Sequence, residues 1–222
     1  MPGYKALLTD LDGTLVHSQD CICAALADAF KETGVRVPSK EEIMGMFGLP
    51  VEVMLTALTE VQEDERKKID SFIEAYKKYY PIRMEGAVLI DGAMETLEKI
   101  YAAGHHICLI TSERRKNAGH ILHRLGLDAY IKYLVSRDDV THFKPDPEPI
   151  EKGAKACGVS VGECIYIGES PFDIEAGKAA GAYTVAVPSG NWPRQSLEEK
   201  HPDCLVENIS QLANIFKQQM LL

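Results

Sequence analysis

The chain has 222 residues, of which 45% are hydrophobic and 26% are charged, and its formal net charge is −9. Such a composition is typical of a soluble globular protein, either one large domain or a core with a smaller insert, that needs no metal or disulfide to stabilise its core. The negative charge argues against nucleic acid or anionic lipid as a partner, whereas a small anionic substrate could still be attracted by local cations or a metal.

The N-terminal segment and the cysteines indicate a cytoplasmic protein. Residues 1–9 contain one lysine and a short apolar run, and Asp10 and Asp12 follow directly, so we expect no signal peptide. No apolar run approaches the length of a membrane span, and we expect no membrane partner. The six cysteines form no C-x-x-C pair and are expected to be reduced. The modest size and acidic surface fit a monomer or a weak homodimer.

The first predicted elements are one strand and a series of helices. Residues 4–10 form a nearly continuous apolar run, which is typical of a central strand covered on both faces. Helical periodicity then covers residues 18–33 and, after a glycine, most of residues 39–80. The run Phe47–Pro50 breaks the second stretch. No convincing strand pattern interrupts these helices, which therefore form a helical insert.

After residue 82 the pattern changes to short strands that alternate with helices, as in a parallel sheet with crossover helices. We therefore predict a doubly wound, Rossmann-like α/β core from residues 1–16 and 83–222, with a helical cap domain at residues 17–82. The core helices are predicted at residues 91–103, 114–125, from 146, 172–180 and 212–220, and the remaining strands at 106–110, 133–136, 164–167 and 183–187.

Two carboxylates follow the first strand in the run Asp10-Leu11-Asp12-Gly13-Thr14. Alternate residues of an extended segment project to the same side, so both face the crevice beyond the strand ends, where such sheets bind ligands. Like charges this close are stable if a cation is shared or one group holds a proton. One carboxylate could then attack phosphorus while the other exchanges a proton with the leaving oxygen and with water. A turn after a strand is the alternative reading.

This run resembles the signature of the haloacid dehalogenase superfamily, in particular of its phosphatases, and three further motifs extend the resemblance over nearly the whole chain. The insert at residues 17–82 resembles the α-helical cap of the first type in this superfamily. The resemblance implies that Asp10 is the nucleophile and a magnesium ligand. It implies that Asp12 is the general acid/base and a second ligand through its carbonyl, and that Gly13 and Thr14 bind phosphate. Dehalogenases and phosphonatases lack a carboxylate at the position of Asp12.

Two runs match the positions at which this superfamily binds phosphate and balances charge. Thr111 and Ser112 follow the predicted strand at residues 106–110, where hydroxyl and amide groups can hold a phosphate oxygen or merely cap the next helix. Lys144 begins the run Lys-Pro-Asp-Pro-Glu-Pro and, taken alone, could be a surface lysine. Because phosphoglycolate phosphatases and related pyrophosphatases carry a similar run, the resemblance implies that Lys144 offsets charge on the nucleophile and the phosphate.

The fourth motif, Gly168-Glu169-Ser170-Pro171-Phe172-Asp173, departs from the superfamily pattern Gly-Asp-Ser-x-x-Asp at Glu169. The resemblance implies that Glu169 and Asp173 complete a Mg²⁺ site with Asp10 and Asp12. The longer carboxylate of Glu169 could reach the same ion with altered geometry, shift the metal preference or lower activity. Asp173 could instead act through water or simply favour the first turn of a helix.

Two further positions concern the cap. Phe47 and Gly48 stand where the cap loop of the superfamily closes over the site, so both are candidate substrate-binding residues, with a plain turn as the alternative. His17 occupies a position where many relatives have aspartate in the run Leu-hydrophobic-Asp-Ser. It is interpreted as a surface hinge residue, or alternatively as a pH-sensitive contact with the substrate.

Together the motifs predict a Mg²⁺-dependent phosphatase that hydrolyses a small phosphorylated metabolite, similar to phosphoglycolate or a sugar phosphate, through an aspartyl-phosphate. One alternative is an inorganic pyrophosphatase, which the run Asp138-Asp139-Val140 also resembles. Another is a sugar phosphomutase, which would need a cap group that protects the intermediate from water. A binding or regulatory protein without turnover is favoured only by Glu169.

Overall fold

The computed structural model describes residues 3–34, 38–39, 42–43, 45–58 and 66–218. The strands are β1 (Ala6–Thr9), β2 (Val16–His17), β3 (Val88–Leu89), β4 (His106–Ile110), β5 (Tyr133–Val135), β6 (Cys164–Gly168), β7 (Tyr183–Ala186) and β8 (Cys204–Leu205). The helices are α1 (Gln19–Thr33), α2 (Val51–Leu58), α3 (Arg66–Met84), α4 (Ala93–Ala102), α5 (Arg115–Arg124), α6 (Glu148–Ala156), α7 (Pro171–Ala180), α8 (Arg194–Glu198) and α9 (Leu212–Gln218).

Six of the strands form one parallel sheet in the order β5-β4-β1-β6-β7-β8. From β1 the chain proceeds outwards through β4 and β5, then returns to the other side of β1 and proceeds through β6, β7 and β8. The prediction of a doubly wound parallel α/β sheet is therefore confirmed. The order reverses at β1, and sheets of this class bind ligands at such a reversal, beyond the carboxyl ends of the strands.

The central strand β1 is buried on both faces. Leu7 belongs to the apolar core on one face of the sheet, whereas Ala6 and Leu8 belong to a second core on the opposite face. Strands covered by helices on both faces are nearly continuously apolar, which explains the unbroken apolar run in the sequence. The ends of β1 and its neighbours are thereby fixed in position by packing on both sides.

The helical segment after β1 packs as a pair of helices. The rings of Phe30 on α1 and Phe72 on α3 are in edge contact, with centroids 4.2 Å apart. At the base of this segment, β2 pairs antiparallel with β3, so that Val16 lies opposite Leu89 and His17 opposite Val88. This ribbon, which was not predicted, joins the two chain segments that enter and leave the helices.

Several predicted boundaries differ from the observed ones. The predicted helix ended at Tyr80, but α3 continues through Pro81 to Met84. Met84 is 1% exposed, and its packing in the core favours a last turn that proline alone would disfavour. The short elements α8 and β8 were not predicted. Part of the predicted helical stretch at residues 39–80 and the predicted helix end at residue 220 lie outside the described residues.

Most other element ends agree with the sequence pattern within about two residues. The strand His106–Ile110 is observed as predicted, and a glycine with positive φ lies within two residues of the end of each of α1, α4, α5 and α7. These glycines are Gly34, Gly104, Gly126 and Gly181. Within the described ranges, no helix combines the length and the apolarity that are needed to cross a membrane.

Candidate active site

The predicted polar residues meet at the carboxyl edge of the sheet. Asp10, Thr111 and Glu169 directly follow β1, β4 and β6, and β1 lies between the other two strands. A small cavity of about 30 Å³ lies at this edge. We call it the strand-end cavity, and its lining includes Asp10, Asp12, Phe47, Gly48, Ser112 and Glu113.

Lys144 joins two carboxylates beneath this cavity. Its Nζ atom lies 2.7 Å from Oδ1 of Asp10 and 2.7 Å from Oδ1 of Asp173, and its side chain is only 2% exposed. Burial lowers the pKa of Lys144, but attraction by Asp10 and Asp173 outweighs this effect and holds the pKa well above its usual value. The structure therefore places an ammonium whose charged form is favoured beside Asp10, and Lys144 is the residue proposed from the sequence as a charge-balancing lysine.

Asp173 holds Lys144 in place and is itself fully hydrogen bonded. Its Oδ1 accepts from Lys144 and, at 2.6 Å, from the hydroxyl of Tyr166. Its Oδ2 accepts from the backbone N–H and the hydroxyl of Ser170, at 3.0 and 2.6 Å. Burial raises the pKa of Asp173, but Lys144 and these hydrogen bonds outweigh it, so the pKa is lowered overall. The four bonds use the lone pairs of both oxygens.

Asp10 and Asp12 line the strand-end cavity together. Burial is the main cause that raises the pKa of Asp10 to about 7, although the charge on Lys144 opposes it. Burial and then the charge on Glu113 raise the pKa of Asp12 to about 7. Oδ1 of Asp12 accepts a 2.5 Å hydrogen bond from the hydroxyl of Ser18, which fixes its orientation. Oδ2 of Asp10 receives a longer contact of 3.4 Å from the Thr14 hydroxyl.

Glu169 occupies a space that two glycines leave open. A methyl group at Gly190 would overlap with its Oε2, and a methyl group at Gly13 would lie 2.9 Å from its Cγ. Glu169 is 2% exposed, and its Oε2 has no hydrogen-bond partner among the described residues. Burial, together with the charges on Asp173 and Asp10, raises its pKa well above the usual value. A buried carboxylate oxygen without a partner is costly unless a further group binds it.

The charges at the strand ends fit a divalent cation. Among the described residues, the carboxyl groups of Asp10, Asp12, Glu169 and Asp173 all feel the charge of one ammonium, that of Lys144, so the cluster carries excess negative charge when ionised. Nearby carboxylates of like charge raise one another's pKa unless a cation intervenes. Hard oxygen donors of this kind suit Mg²⁺. Oε2 of Glu169, which has no hydrogen-bond partner among the described residues, is a buried oxygen that could bind such an ion.

The remaining predicted site residues lie around the same edge. Thr111 is 5% exposed, and its hydroxyl accepts a 3.1 Å bond from the N–H of Glu113. The hydroxyl of Ser112 donates to the carbonyl of Gly48 at 2.7 Å, so the loop at Phe47 and Gly48 rests on the core. Gly48 has a φ of 104°, which favours glycine, and a methyl group at this position would lie 2.9 Å from the hydroxyl oxygen of Ser170. His17 is exposed in β2 and does not line the strand-end cavity.

Four residues at this site were not identified from the sequence. Ser18 orients Asp12, Glu113 lines the strand-end cavity, and Gly190 makes room for Glu169. The indole N–H of Trp192 donates to the carbonyl of Phe47 at 3.2 Å. The role of each of these residues depends on a contact that the four sequence motifs do not include. No local sequence pattern therefore identifies these residues.

The match to a protein-family model covers residues 7–187, and its description is haloacid dehalogenase-like hydrolase. The chain belongs to the haloacid dehalogenase-like hydrolase family. The predicted superfamily, with its helical segment after the first strand, and the prediction of an enzyme are thereby confirmed.

Individual relatives align over nearly their whole length. The chain is 27% identical to pyrophosphatase PpaX of Anoxybacillus flavithermus, with 95% of this chain and 96% of that protein covered. It is also 27% identical to phosphoglycolate phosphatase of Salmonella typhimurium, with 96% and 92% covered. The crystal structure of a hydrolase from Pseudomonas syringae is similar, with a TM-score of 0.85, 26% identity, and 96% and 98% coverage. The sequence motifs placed the chain in the branch of the superfamily that contains phosphoglycolate phosphatases and related pyrophosphatases. The names of these relatives confirm that placement.

Proposed function

We propose that this protein is a Mg²⁺-dependent phosphatase that hydrolyses a small phosphorylated metabolite through an aspartyl-phosphate on Asp10. The observation that carries the proposal is the arrangement of Asp10. Oδ1 of Asp10 accepts a 2.7 Å hydrogen bond from Lys144, and Asp10 and Asp12 both line the strand-end cavity. One carboxylate is thus fixed for attack, and a second carboxyl stands beside it for proton transfer.

The proposed reaction has two displacements at phosphorus, the first by Asp10 and the second by water. Oδ2 of Asp10 forms a bond to phosphorus, and the bond from phosphorus to the leaving oxygen breaks, while protonated Asp12 gives that oxygen its proton. Asp12 then takes a proton from a water molecule that attacks phosphorus, and the bond from phosphorus to Asp10 breaks. The raised pKa of Asp12 fits a group that holds a proton before the first step. Ser18 keeps its carboxyl oriented throughout.

The phosphoryl group would be bound by residues at three strand ends. Lys144 stabilises charge that develops on the transferred group, and the Thr111 hydroxyl and the Ser112 region supply further donors. When bound, Mg²⁺ would neutralise charge on the phosphoryl oxygens and on Asp10. Asp10, the carbonyl of Asp12 and Glu169 are the proposed ligands. Since Asp173 already accepts four hydrogen bonds, its proposed role is to position Lys144 rather than to bind the ion directly.

We further propose that residues 17–82 form the cap, and residues 1–16 and 83–222 the catalytic core. The loop at Phe47 and Gly48 contacts the core through Ser112 and Trp192. The strand-end cavity of about 30 Å³ has space for little more than a water molecule, so a metabolite can bind only after this loop moves. Closure of the loop would exclude bulk water during the reaction.

The second candidate function is that of an inorganic pyrophosphatase, because relatives with that name are as similar as those named phosphoglycolate phosphatase. The run Asp138-Asp139-Val140 does not distinguish a phosphatase for organic phosphates from a pyrophosphatase. Asp139 accepts hydrogen bonds from Arg115 and Ser136, and Asp138 accepts one from the N–H of Arg115. Both carboxylates therefore have structural partners that account for them without a substrate.

The test is phosphate release from pyrophosphate, phosphoglycolate and several sugar phosphates, measured with Mg²⁺ and with a chelator. We expect release that needs the metal and is fastest with one organic phosphate. Fastest release from pyrophosphate would favour the second candidate. Absence of release from every compound by folded, Mg²⁺-loaded protein would contradict the proposed function.

A further inference from the structure

A second, larger cavity adjoins the strand-end cavity. It has a volume of about 380 Å³ and lies between α3 and α5, and we call it the interhelical cavity. The two cavities share the lining residues Val51, Tyr76, Ser112 and Glu113. A volume of this size is typical of sites for small organic molecules. A phosphate placed at Asp10 would therefore have its organic part directed towards the interhelical cavity.

The inner wall of the interhelical cavity carries two tyrosines. Both Tyr76 and Tyr80 are 3% exposed. The hydroxyl of Tyr76 has no hydrogen-bond partner among the described residues, although it is fully buried. Buried hydroxyl groups are nearly always hydrogen bonded, so this group needs a partner that the protein itself does not supply. A hydroxyl group on a bound molecule would satisfy it as donor or acceptor.

Glu113 stands at the junction of the two cavities. Its Oε2 accepts one hydrogen bond, at 2.9 Å, from the side-chain amide of Asn117. Burial raises the pKa of Glu113, although Asn117, the Tyr80 hydroxyl and the backbone N–H of Arg114 oppose this effect. A carboxylate has about four acceptor sites, so these three donors leave at least one for a ligand. Glu113 is close enough to Asp12 for its charge to raise the pKa of Asp12. A second anionic group on a substrate, placed at this junction, would therefore lie beside the carboxyl groups of both Glu113 and Asp12.

Lys77, Arg114, Lys116 and Arg137 line the interhelical cavity, but none of them is among the residues that the two cavities share. Arg114 and Arg137 both form ion pairs with Glu52, the former at 3.0 Å. Lys77 pairs with Glu74 at 2.5 Å, and Lys116 is exposed at the rim. None of these groups faces Asp10 across the strand-end cavity, whose lining contains no cation among the described residues. The shared wall is thus formed by acceptors and hydroxyl groups rather than by cations.

We propose that the interhelical cavity binds the leaving group of the substrate, and that Glu113 selects an uncharged leaving group with several hydroxyl groups. This inference rests on the proposed phosphatase function. Hydroxyl groups of the leaving group donate to Glu113 and complete the hydrogen bonding of Tyr76. At the junction of the two cavities, a carboxylate or a second phosphate is disfavoured, because it would lie against Glu113 and the residues that the cavities share include no cation. The preferred substrates are therefore sugar or polyol monophosphates rather than phosphoglycolate or pyrophosphate.

The experiment compares kcat/KM for a hexose monophosphate, phosphoglycolate and pyrophosphate in the wild-type protein and in Glu113→Gln. The ratio between substrates within one protein cancels any loss of folded enzyme. We expect the wild type to prefer the hexose phosphate, and Glu113→Gln to shift the ratio towards the two anionic substrates by about 10-fold or more. Glu151→Gln, an exposed glutamate on α6, is the matched control and should leave the ratio unchanged.

Three outcomes are distinguishable. A shift of the ratio in Glu113→Gln alone supports the proposal. A wild type that prefers pyrophosphate or phosphoglycolate, or a ratio that Glu113→Gln leaves unchanged, overturns the role of Glu113 while the phosphatase function stands. Absence of phosphate release from all three substrates in the wild type overturns the proposed function and this inference with it.

Discussion

The strand-end cavity and the interhelical cavity adjoin, yet they are built in opposite ways. At the strand ends, buried charges meet at fixed distances, as at Lys144, whose Nζ lies 2.7 Å from both Asp10 and Asp173. The interhelical cavity is lined largely by residues of α2, α3 and α5, two of which are buried tyrosines, and it is about 380 Å³ in volume. Rigid charge suits bond making, whereas open space with a few polar groups suits selection of a molecule.

Because of this difference, substitutions in the two cavities should have different effects on activity. Changes at the strand ends are expected to lower the rate for every substrate, because all substrates share the phosphoryl group. Changes in the interhelical cavity are expected to alter the ratio between substrates, because only the leaving group reaches it. The account would fail if a strand-end substitution changed substrate preference while leaving the rate for the preferred substrate intact.

The largest effect is expected for Asp10→Asn. The amide retains the shape of the carboxylate but cannot form the aspartyl-phosphate, so kcat should fall by about 10⁴-fold or more for all substrates. Phosphate release under saturating substrate and Mg²⁺ measures this. Asp91→Asn, an exposed aspartate before α4, is the control and should keep full activity. Unchanged turnover in Asp10→Asn would show that the mechanism is wrong.

Lys144→Met should lower both stability and rate. Removal of the ammonium leaves the buried carboxylates of Asp10 and Asp173 without their shared partner. Loss of one partner from a buried ion pair typically costs about 3–5 kcal/mol of unfolding free energy. Urea unfolding without Mg²⁺ measures this cost, with exposed Lys155→Met on α6 as the control. A loss no larger than that of the control would contradict the assigned role of Lys144.

Gly190→Ala should weaken Mg²⁺ binding while preserving the fold. The added methyl group would overlap with Oε2 of Glu169 and displace the proposed ligand. Displacement of a ligand or its support typically lowers metal affinity by about 10–100-fold, which the Mg²⁺ dependence of the rate measures. Gly162→Ala is the control, since a methyl group there meets nothing within 4 Å.

A second variant tests the steric cause of this effect. Combining Gly190→Ala with Glu169→Asp should restore part of the affinity, because the shorter side chain withdraws from the added methyl group. If the double variant binds Mg²⁺ as weakly as the product of the two single effects predicts, the contact between Gly190 and Glu169 does not position a metal ligand.

The smallest effect is expected for Trp192→Phe, which removes the hydrogen bond to the Phe47 carbonyl and keeps an aromatic ring against Phe172. Loss of one such bond should lower kcat/KM by about 2- to 10-fold through a less stable closed loop. The substrate ratio should stay unchanged, because Trp192 does not line the interhelical cavity. An altered ratio would mean that loop closure, rather than Glu113, sets the preference.

The positions of Asp10, Thr111, Lys144 and Glu169 could be predicted because each stands in a short motif, three of them at the end of an apolar strand. An unbroken apolar run predicts a buried strand, and the carboxyl end of that strand predicts where a ligand binds. The ribbon of β2 and β3 could not be predicted, since two-residue strands are too short to show a period. Likewise, α3 passes Pro81 because its last turn is packed in the core, which local propensity does not record.

The interhelical cavity could not be predicted for a different reason. Glu113 immediately follows the predicted motif at Thr111 and Ser112, but nothing in the sequence shows that it faces Tyr76 across a cavity. Tyr76 and Tyr80 have helical spacing, which is typical of an ordinary core face. Their proposed role follows only from the structure, in which the hydroxyl of Tyr76 is buried without a partner among the described residues.

The most direct test of the central claim is detection of the phosphoryl group on Asp10. Asp12→Asn with acetyl phosphate is suited to it, because a good leaving group needs no acid, while water attack on the intermediate lacks its base. After a rapid acid quench, we expect intact-mass spectrometry to show protein that carries one phosphoryl group. Hydroxylamine should remove it, peptide mapping should place it on Asp10, and Asp10→Asn should not acquire it. A phosphoryl group on another residue, or one acquired equally by Asp10→Asn, would contradict the account.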